Sequence, residues 1–595
     1  MTAVARRYQW IVVLIAAAIF LGCIISPPAL MDDVDSVQVS IAHTMVQTGD
    51  WVTPRLDGVK YFEKPPLKYW LIAVFFKLFG MHDYIARLPL ALLDVALCWL
   101  VFRIGLWAFG EKAGYYAGLI VASSVGLFLF TRVLIADSQL TLAIAFSLWS
   151  FARALDPDEK HPRFWGIGYW ASIAVAILLK GLIGAVFPFG IAFVYLLVTR
   201  QLLTRETWRR LTPGWGILVL FAIAAPWHIL ATLRNPPYLR FDLTSGPGNY
   251  RGFFWAYFFN EHILRFLNRR YPHDYNTVPR IWFWLFNLLW LFPGSAYLPA
   301  LAQLRYRGED RASRMRMLAL IWIAFVMLFF TLSSTQEYYS MPVYPPVALL
   351  IGCGIAADLE RGKNWLRAGD ILLSVIWTVA LAAIVAILVR VWSLPTPGDI
   401  SNALASQNQA AYTLSLGHMG DLTLNSFAYL RMPLIVAAIA ALVGAVGLLL
   451  MRKRRILVSA LAMVIFFHAA RLAMVTFDPY LSSRPLAEAF LRSPPGELIV
   501  SDQYYAFSSI FFYADTKAYL LNGRINNLEY GSNAPGAPHV FIDNNDLARM
   551  WHEPERYYLI AAHEFLPDIA KVIGVRDYIV VKESGGKYLV TNHPL

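Results

Sequence analysis

Three short stretches of this chain hold the side chains best suited to chemistry: "MDDVDS" at residues 31–36, "YFEKPP" at 61–66 and "NEHILRF" at 260–266. The first packs Asp32, Asp33 and Asp35 into four consecutive residues. Any of the three could serve as a general base if it came within hydrogen-bond reach of an attacking oxygen; a solvated acidic loop is the plainer reading of the same spacing. The second stretch sets Lys64, a compact charge suited to a phosphate, beside Glu63, suited to a metal ion or to simple pairing with its neighbour. Its prolines stiffen the backbone and permit a helix to start directly after them. The third carries Glu261, His262 and Arg265 on one short element. A single histidine is more often structural, but His262 with Glu63 could hold a divalent cation such as zinc, and Arg265 could clamp a phosphate with two hydrogen bonds.

Three more positions join them. Asp137, in "TRVLIADSQLTL", stands against an apolar run, where a carboxylate is costly and marks a functional site. Lys180 interrupts "LLKGLIGAVFP" in the same way. Tyr338 and Tyr339, in "STQEYYSMPVYPP", sit where tyrosines commonly form an interfacial belt, though a phenol there could also bond a phosphate oxygen.

The elements that must position these groups are membrane spans. Hydrophobic residues make up 58% of the 595 positions and charged residues only 15%, so the chain reads as a polytopic α-helical membrane protein. Length and apolarity give about 13 spans, centred near residues 18, 98, 122, 144, 174, 190, 223, 291, 325, 349, 382, 442 and 466. The first, from Trp10 to about Ile25, lacks a small-residue cleavage site and reads as a retained helix. The run Leu67 to Phe79 is too short to cross and reads as an interfacial helix. With the N-terminus in the cytoplasm, "RQLLTRETWRR", "RYRGEDRASRMR", "RGKNWLR" and "RKRR" fall inside, as the positive-inside bias requires. The net charge of +12 therefore reports topology, and nucleic acid is not an expected partner. Cys23, Cys98 and Cys353 lie in apolar runs without metal-type spacing and read as small core residues.

An odd number of spans leaves the C-terminal segment outside. There "ELIVSD", "HVFID", "RYYLIAA" and "RDYIVVKE" alternate with helix-like "NDLARMW" and "LPDIAKVIG", which predicts a small soluble α/β domain over 478–595. Residues 1–477 form the membrane domain, with an outer loop at 28–87. The stretch "SLPTPGDISNALASQNQ", at 393–409, reads as a polar outer loop. This topology gathers Asp32, Asp33, Asp35, Glu63, Lys64, Asp137, Lys180, His262, Arg265 and Tyr339 on one face of the membrane. No Gly-rich phosphate loop or dinucleotide fingerprint accompanies them, so the distribution points to a lipid-borne phosphate rather than a soluble nucleotide. Two rivals of other classes are a lipid-linked flippase, which needs polar groups along a path through the midplane, and a scaffold binding envelope partners through its C-terminal domain.

The stretch "MVQTGDWVTPRLDGVKYFEKPPLKYWLIAVFFKLFG", with the downstream "RLPLAL", closely resembles the first outer loop of bacterial lipid A aminoarabinose transferases and their protein O-mannosyltransferase relatives. The resemblance is specific over residues 45–90 and fainter through about 355. It implies a membrane glycosyltransferase of the C-type fold in the bacterial inner membrane, with an extracytoplasmic active site. The implied donor is a sugar on undecaprenyl or a similar polyprenyl phosphate, and the acceptor a lipid such as lipid A, or a protein hydroxyl. The family's first catalytic aspartate falls on Asp33, Asp35 or Asp32, because "DDVDSVQVS" departs from the family pattern, and its second on Asp137. Its phosphate-binding residues resemble Lys64, Arg265, Tyr339 and Lys180, and its metal ligands Glu63 and His262.

Overall fold

The computed structural model describes residues 2–273, 277–362, 364–405, 421–574 and 577–595, so the end of the expected polar loop, from 406 on, lies outside the described residues. The chain folds as a bundle of apolar helices capped at one end by a mixed sheet. Helices α1 (Ala3–Phe20), α4 (Asp83–Phe109), α5 (Glu111–Ala122), α6 (Val125–Thr131), α7 (Asp137–Leu155), α8 (Pro162–Lys180) and α9 (Ile183–Val198) build the first half. Among the described residues nine helices are long and apolar enough to cross a membrane, and up to eleven if each of two bent pairs is one span. Thirteen was the sequence expectation. Part of the difference arises where an apolar run does not make one straight helix: α5 and α6 bend by 45°, and Arg280–Trp290 meets Gly294–Gln303 at 96° across Pro293, while α7 is a single helix but opens on the polar Asp137, Ser138 and Gln139 and is not among the nine. Ile183–Val198 is apolar but short.

The two ends of the bundle differ as the charge pattern requires. At one end Arg210 donates to the Asp156 carbonyl, while Arg311 and Arg314 pair with the Asp156 carboxylate at 2.6 and 3.2 Å, so that Asp156 draws two basic loops together. The opposite end carries the first outer loop. There α2 (Asp35–Thr48) and α3 (Leu67–Phe79) flank a two-residue hairpin, β1 (Arg55–Leu56) and β2 (Val59–Lys60). Asp57 and Gly58 turn it with φ of 46° and 79°, the left-handed pair that a tight hairpin demands. The expected interfacial helix at 67–79 begins directly after Pro65 and Pro66.

The C-terminal sheet has the order β5-β4-β3-β6-β8-β7, formed by Glu497–Ser501 (β3), Ala518–Leu521 (β4), Phe541–Ile542 (β5), Tyr557–Ala562 (β6), Ile579–Ser584 (β7) and Lys587–Thr591 (β8). β3 to β6 pair in parallel, and β8 and β7 continue antiparallel. Alternate residues face opposite ways along each strand. Ile499 and Leu559 pack under the helices Asn544–Trp551 and Leu566–Ile573. Leu498, Val500, Tyr558 and Ile560 join Val37, Ile41, Leu56 and Tyr69 of the outer loop in one core. The α/β domain is thus welded to the first outer loop rather than tethered beside it.

Candidate active site

The loop that opens α2 shows how three neighbouring aspartates acquire three environments. Asp32 accepts from Ser509 N–H at 2.7 Å, Ser483 Oγ at 2.8 Å and Lys587 Nζ at 2.6 Å, tying the loop to the C-terminal domain. Asp35 is fully buried, pairs with Arg87 at 2.6 Å and accepts the Leu134 N–H at 3.0 Å. Between them Asp33 adopts φ 70°, its N–H donating to Ser508 Oγ at 2.9 Å, and lines a polar chamber of about 190 Å³. Of the three candidates, then, only Asp33 reaches the chamber; Asp32 and Asp35 brace the backbone on either side. Surrounding protein, with the nearby Asp32 and Glu63 carboxylates, pushes the Asp33 carboxyl up to about 6, and solvent reaching it through the chamber works against that shift. Its carboxylate makes no ion pair among the described residues.

Among the described residues, five cations and three carboxylates line this chamber: Lys64, Lys68, Lys180, Arg265 and Arg270 against Asp33, Glu63 and Asp137. Asp137 is the first residue of α7 and pairs with Lys180, the last residue of α8. Lys180 Nζ also lies 5.2 and 4.9 Å from the ring centres of Tyr338 and Tyr339, a cation–π contact on its far side. Lys64 pairs with Glu63 at 2.8 Å, so the plain neighbour pairing exists here, alongside any contact the lysine makes to a ligand. Glu63 further accepts from Tyr61 and, at 3.0 Å, from Asn527 Nδ2, with Arg265 at 3.8 Å. Burial works to raise the Glu63 carboxyl, but Lys64, Arg270 and Arg265 outweigh it and hold the group well below the usual carboxylate range.

His262 is held by hydrogen bonds from two directions. It lies on a wide, π-type turn over Trp255–Leu264, with Nε2 accepting the Leu182 N–H at 3.1 Å and Nδ1 directed at the Tyr257 carbonyl at 2.5 Å. Burial pushes the imidazole down to about 4 and keeps it neutral. It closes against Gly181, where φ is 79° and a Cβ would stand 2.0 Å from Nε2, so glycine alone permits the α8–α9 turn that presents Lys180. The Nδ1 contact to a carbonyl is one that a metal-bound histidine also makes, but in this structure the Nε2 lone pair is taken by the Leu182 N–H and the Glu63 oxygens by lysine, tyrosine and amide. Among the described residues no three His, Cys, Asp or Glu side chains gather to hold a metal.

Sequence reading missed several lining residues. Lys68, four positions beyond Lys64, is 4% exposed and donates to Gln38; burial, then the charge on Lys64, pushes it down to about 7. Its signal was a second lysine inside an apolar run. Arg270 pairs with Glu261 at 2.9 Å. Tyr505, Asn526 and Asn527 come from the C-terminal domain and carried no local signal at all.

Beside the polar chamber runs an apolar groove of about 400 Å³, walled by Leu182, Ile183, Val186, Phe266, Phe329 and Phe330. Glu63, Lys64, Lys180, Arg265 and Tyr339 line both spaces. This shared wall places a ring of cations between a polar and a greasy compartment.

A profile of the dolichyl-phosphate-mannose-protein mannosyltransferase family matches residues 63–229. The undecaprenyl phosphate-α-4-amino-4-deoxy-L-arabinose arabinosyl transferase of Pseudomonas aeruginosa (strain UCBPP-PA14) is 29% identical over 394 residues, 64% of this chain and 66% of the relative. The enzyme of that name from Shewanella sediminis is 26% identical over 358 residues, 58% of this chain and 59% of the relative. The matched region thus spans somewhat less than two thirds of these curated relatives. Among solved structures, ArnT from Cupriavidus metallidurans bound to undecaprenyl phosphate superposes with a TM-score of 0.77 at 22% identity, covering 98% of this chain and 97% of that one. The Archaeoglobus fulgidus oligosaccharyltransferase follows with a TM-score of 0.52 at 12% identity, over 96% and 71%. By sequence the chain is similar to the aminoarabinose transferases and, over residues 63–229, to the protein mannosyltransferases, and along its whole length it shares the fold of ArnT.

Proposed function

We propose that this protein transfers a sugar from a polyprenyl phosphate to an acceptor on the outer side of the bacterial inner membrane, with lipid A or another envelope glycolipid as the acceptor. The observation that carries this reading is the shared wall. A lipid-linked phosphate needs an apolar channel for its chain, cations for its phosphate and a polar space for its sugar, and the groove, the wall and the chamber lie in that order. The relatives named for undecaprenyl phosphate-linked aminoarabinose support the same donor class.

In this arrangement the polyprenyl chain lies among Leu182, Val186, Phe266 and Phe329, and the phosphate rests against Lys64, Lys180, Arg265 and Tyr339. The acceptor oxygen attacks C1 of the sugar, the bond from C1 to the phosphate oxygen breaks, and the anomeric centre inverts. The departing phosphate gains negative charge as that bond breaks. Preorganised cations in a low-dielectric wall stabilise that charge more than they stabilise the bound donor, which is how they accelerate the step. Asp33, ionised and unpaired, takes the proton of a hydroxyl acceptor; an acceptor that is itself a phosphate needs no base. Asp137 holds Lys180 in place through their ion pair.

The test is transfer from a purified undecaprenyl-phosphate sugar to lipid A in detergent, read by mass spectrometry. Product formation that is lost in Lys64→Ala and Arg265→Ala supports the proposal. Undiminished transfer in both variants would remove the shared wall from the mechanism, and movement of the lipid-linked sugar across sealed vesicles without a new glycosidic bond would favour a flippase.

A further inference from the structure

The parallel part of the C-terminal sheet points its carboxyl ends at the catalytic chamber. Tyr505 follows the end of β3, at Ser501, and Asn526 and Asn527 follow the end of β4, at Leu521; all three line the chamber. In open α/β sheets the loops beyond the carboxyl ends of the strands are where ligands bind. Here that end is pressed into the membrane domain. The helix Asn526–Ser532 lies so close to β2 that a Cβ on Gly531 would stand 2.0 Å from the Lys60 carbonyl oxygen.

Asn527 stands at the closest point. Its Nδ2 donates to Glu63 Oε2 at 3.0 Å, and its Oδ1 accepts from Arg270. Chemistry fixes the orientation of the amide, because an ionised carboxylate only accepts and a guanidinium only donates. One side chain of the C-terminal domain therefore bridges Glu63 of the first outer loop to Arg270, in the segment that follows the π-type turn Trp255–Leu264. Arg270 in turn pairs with Glu261, which pairs with Arg265 at 3.4 Å. Glu63 likewise pairs with Lys64. The bridge touches both ends of the cation set that forms the shared wall.

We infer that Asn527 is a positioning residue through which the C-terminal domain sets the geometry of the Glu63–Lys64 and Arg270–Glu261–Arg265 pairs, and so the affinity of the site for a lipid-borne phosphate. This rests on the shared wall being the donor-phosphate site. Without the amide, Glu63 loses a donor and Arg270 an acceptor, and Lys64 and Arg265 are drawn further toward the carboxylates and away from the ligand. Charge-assisted hydrogen bonds of this kind are the stronger class, so the expected effect on affinity is about tenfold.

The experiment measures binding of undecaprenyl phosphate to the full-length protein in detergent, for wild type, Asn527→Ala and Asn527→Asp, with the thermal midpoint of each. Asparagine and aspartate are nearly the same shape. If Asn527 only fills space, Asp should be the milder substitution. If it positions charge, Asp is the harsher, because it sets a second carboxylate against Glu63. The expected order is wild type, then Ala about tenfold weaker, then Asp weaker still, with midpoints close together. Asp binding as well as or better than Ala, or both within twofold of wild type, would overturn the inference while leaving the donor site intact. Wild-type protein that fails to bind undecaprenyl phosphate would sink both.

Discussion

Substituting Asp33 by asparagine separates chemistry from architecture more sharply than any other change at this site. Asp33 is the carboxylate of the chamber without a cation against it, whereas Glu63 pairs with Lys64 and Asp137 with Lys180. Its carboxyl is pushed up to about 6, near the value at which a base is both ionised and competent at neutral pH. Loss of a positioned general base costs about 10²–10⁴ in rate, or roughly 3–5 kcal/mol of barrier. A base must be deprotonated to act, so wild-type kcat/KM should fall tenfold per unit as pH drops below about 6. Asp33→Asn should lack that acid limb and keep its thermal midpoint. Asp35→Asn should behave oppositely: it strands the buried Arg87, and breaking a buried pair costs about 3–5 kcal/mol of stability, read as a lower midpoint and yield. The assay is transfer to a hydroxyl acceptor across pH 5–8, with thermal unfolding of each variant. An Asp33→Asn enzyme within threefold of wild type, or one that keeps the acid limb, would refute the base assignment and leave Asp33 as a wall of the chamber.

Three other outcomes follow from the same geometry. Lys64→Met should raise the donor KM by about 10–100-fold with a smaller change in acceptor KM, since one charged hydrogen bond to phosphate is worth roughly 1.5–3 kcal/mol; equal changes in both would place Lys64 elsewhere in the mechanism. Asp137→Asn and Lys180→Met should each destabilise the fold, and the double variant should be less destabilised than their sum, because each single change leaves a buried charge without its partner; strict additivity of thermal midpoints counts against the pair. Lys68 is charged below about 7, so donor affinity should weaken as pH rises through that value, and Lys68→Arg, which stays charged, should flatten the dependence; an unchanged profile in Lys68→Arg removes Lys68 from phosphate binding.

How much of this was legible in the sequence depended on the range of the interaction that decides it. Spans follow from apolar length, a property of about 20 consecutive residues, and every predicted centre falls on a helix or at its end. The 67–79 helix followed from two prolines and a short apolar run. Lys64, Asp137 and Lys180 could be singled out because a charge against an apolar run is costly wherever it sits. The choice among Asp32, Asp33 and Asp35 could not be made that way. The three differ in their contacts with Arg87, Lys587, Ser483 and Ser509, partners up to 555 positions away, which take up two of the carboxylates and leave the third facing the chamber. The surroundings of His262 were hidden for the same reason: its type and its neighbour Glu261 are those of a metal ligand, and the Leu182 N–H that occupies its Nε2 lies 80 positions away in sequence.

The C-terminal domain is the extreme case. Its strands β3, β5, β6 and β7 were visible as short β-rich runs, yet nothing in "GRINNLEYG" marks Asn527 as part of the chamber wall. An amide gains significance only from what it bridges. Here it bridges two charged residues of separate outer loops, and the core that holds it there is shared between β3, β6 and α2 rather than owned by either domain. A boundary drawn near residue 478 therefore separates secondary-structure classes across a core that both sides share, and Tyr505, Asn526 and Asn527 beyond it line the chamber.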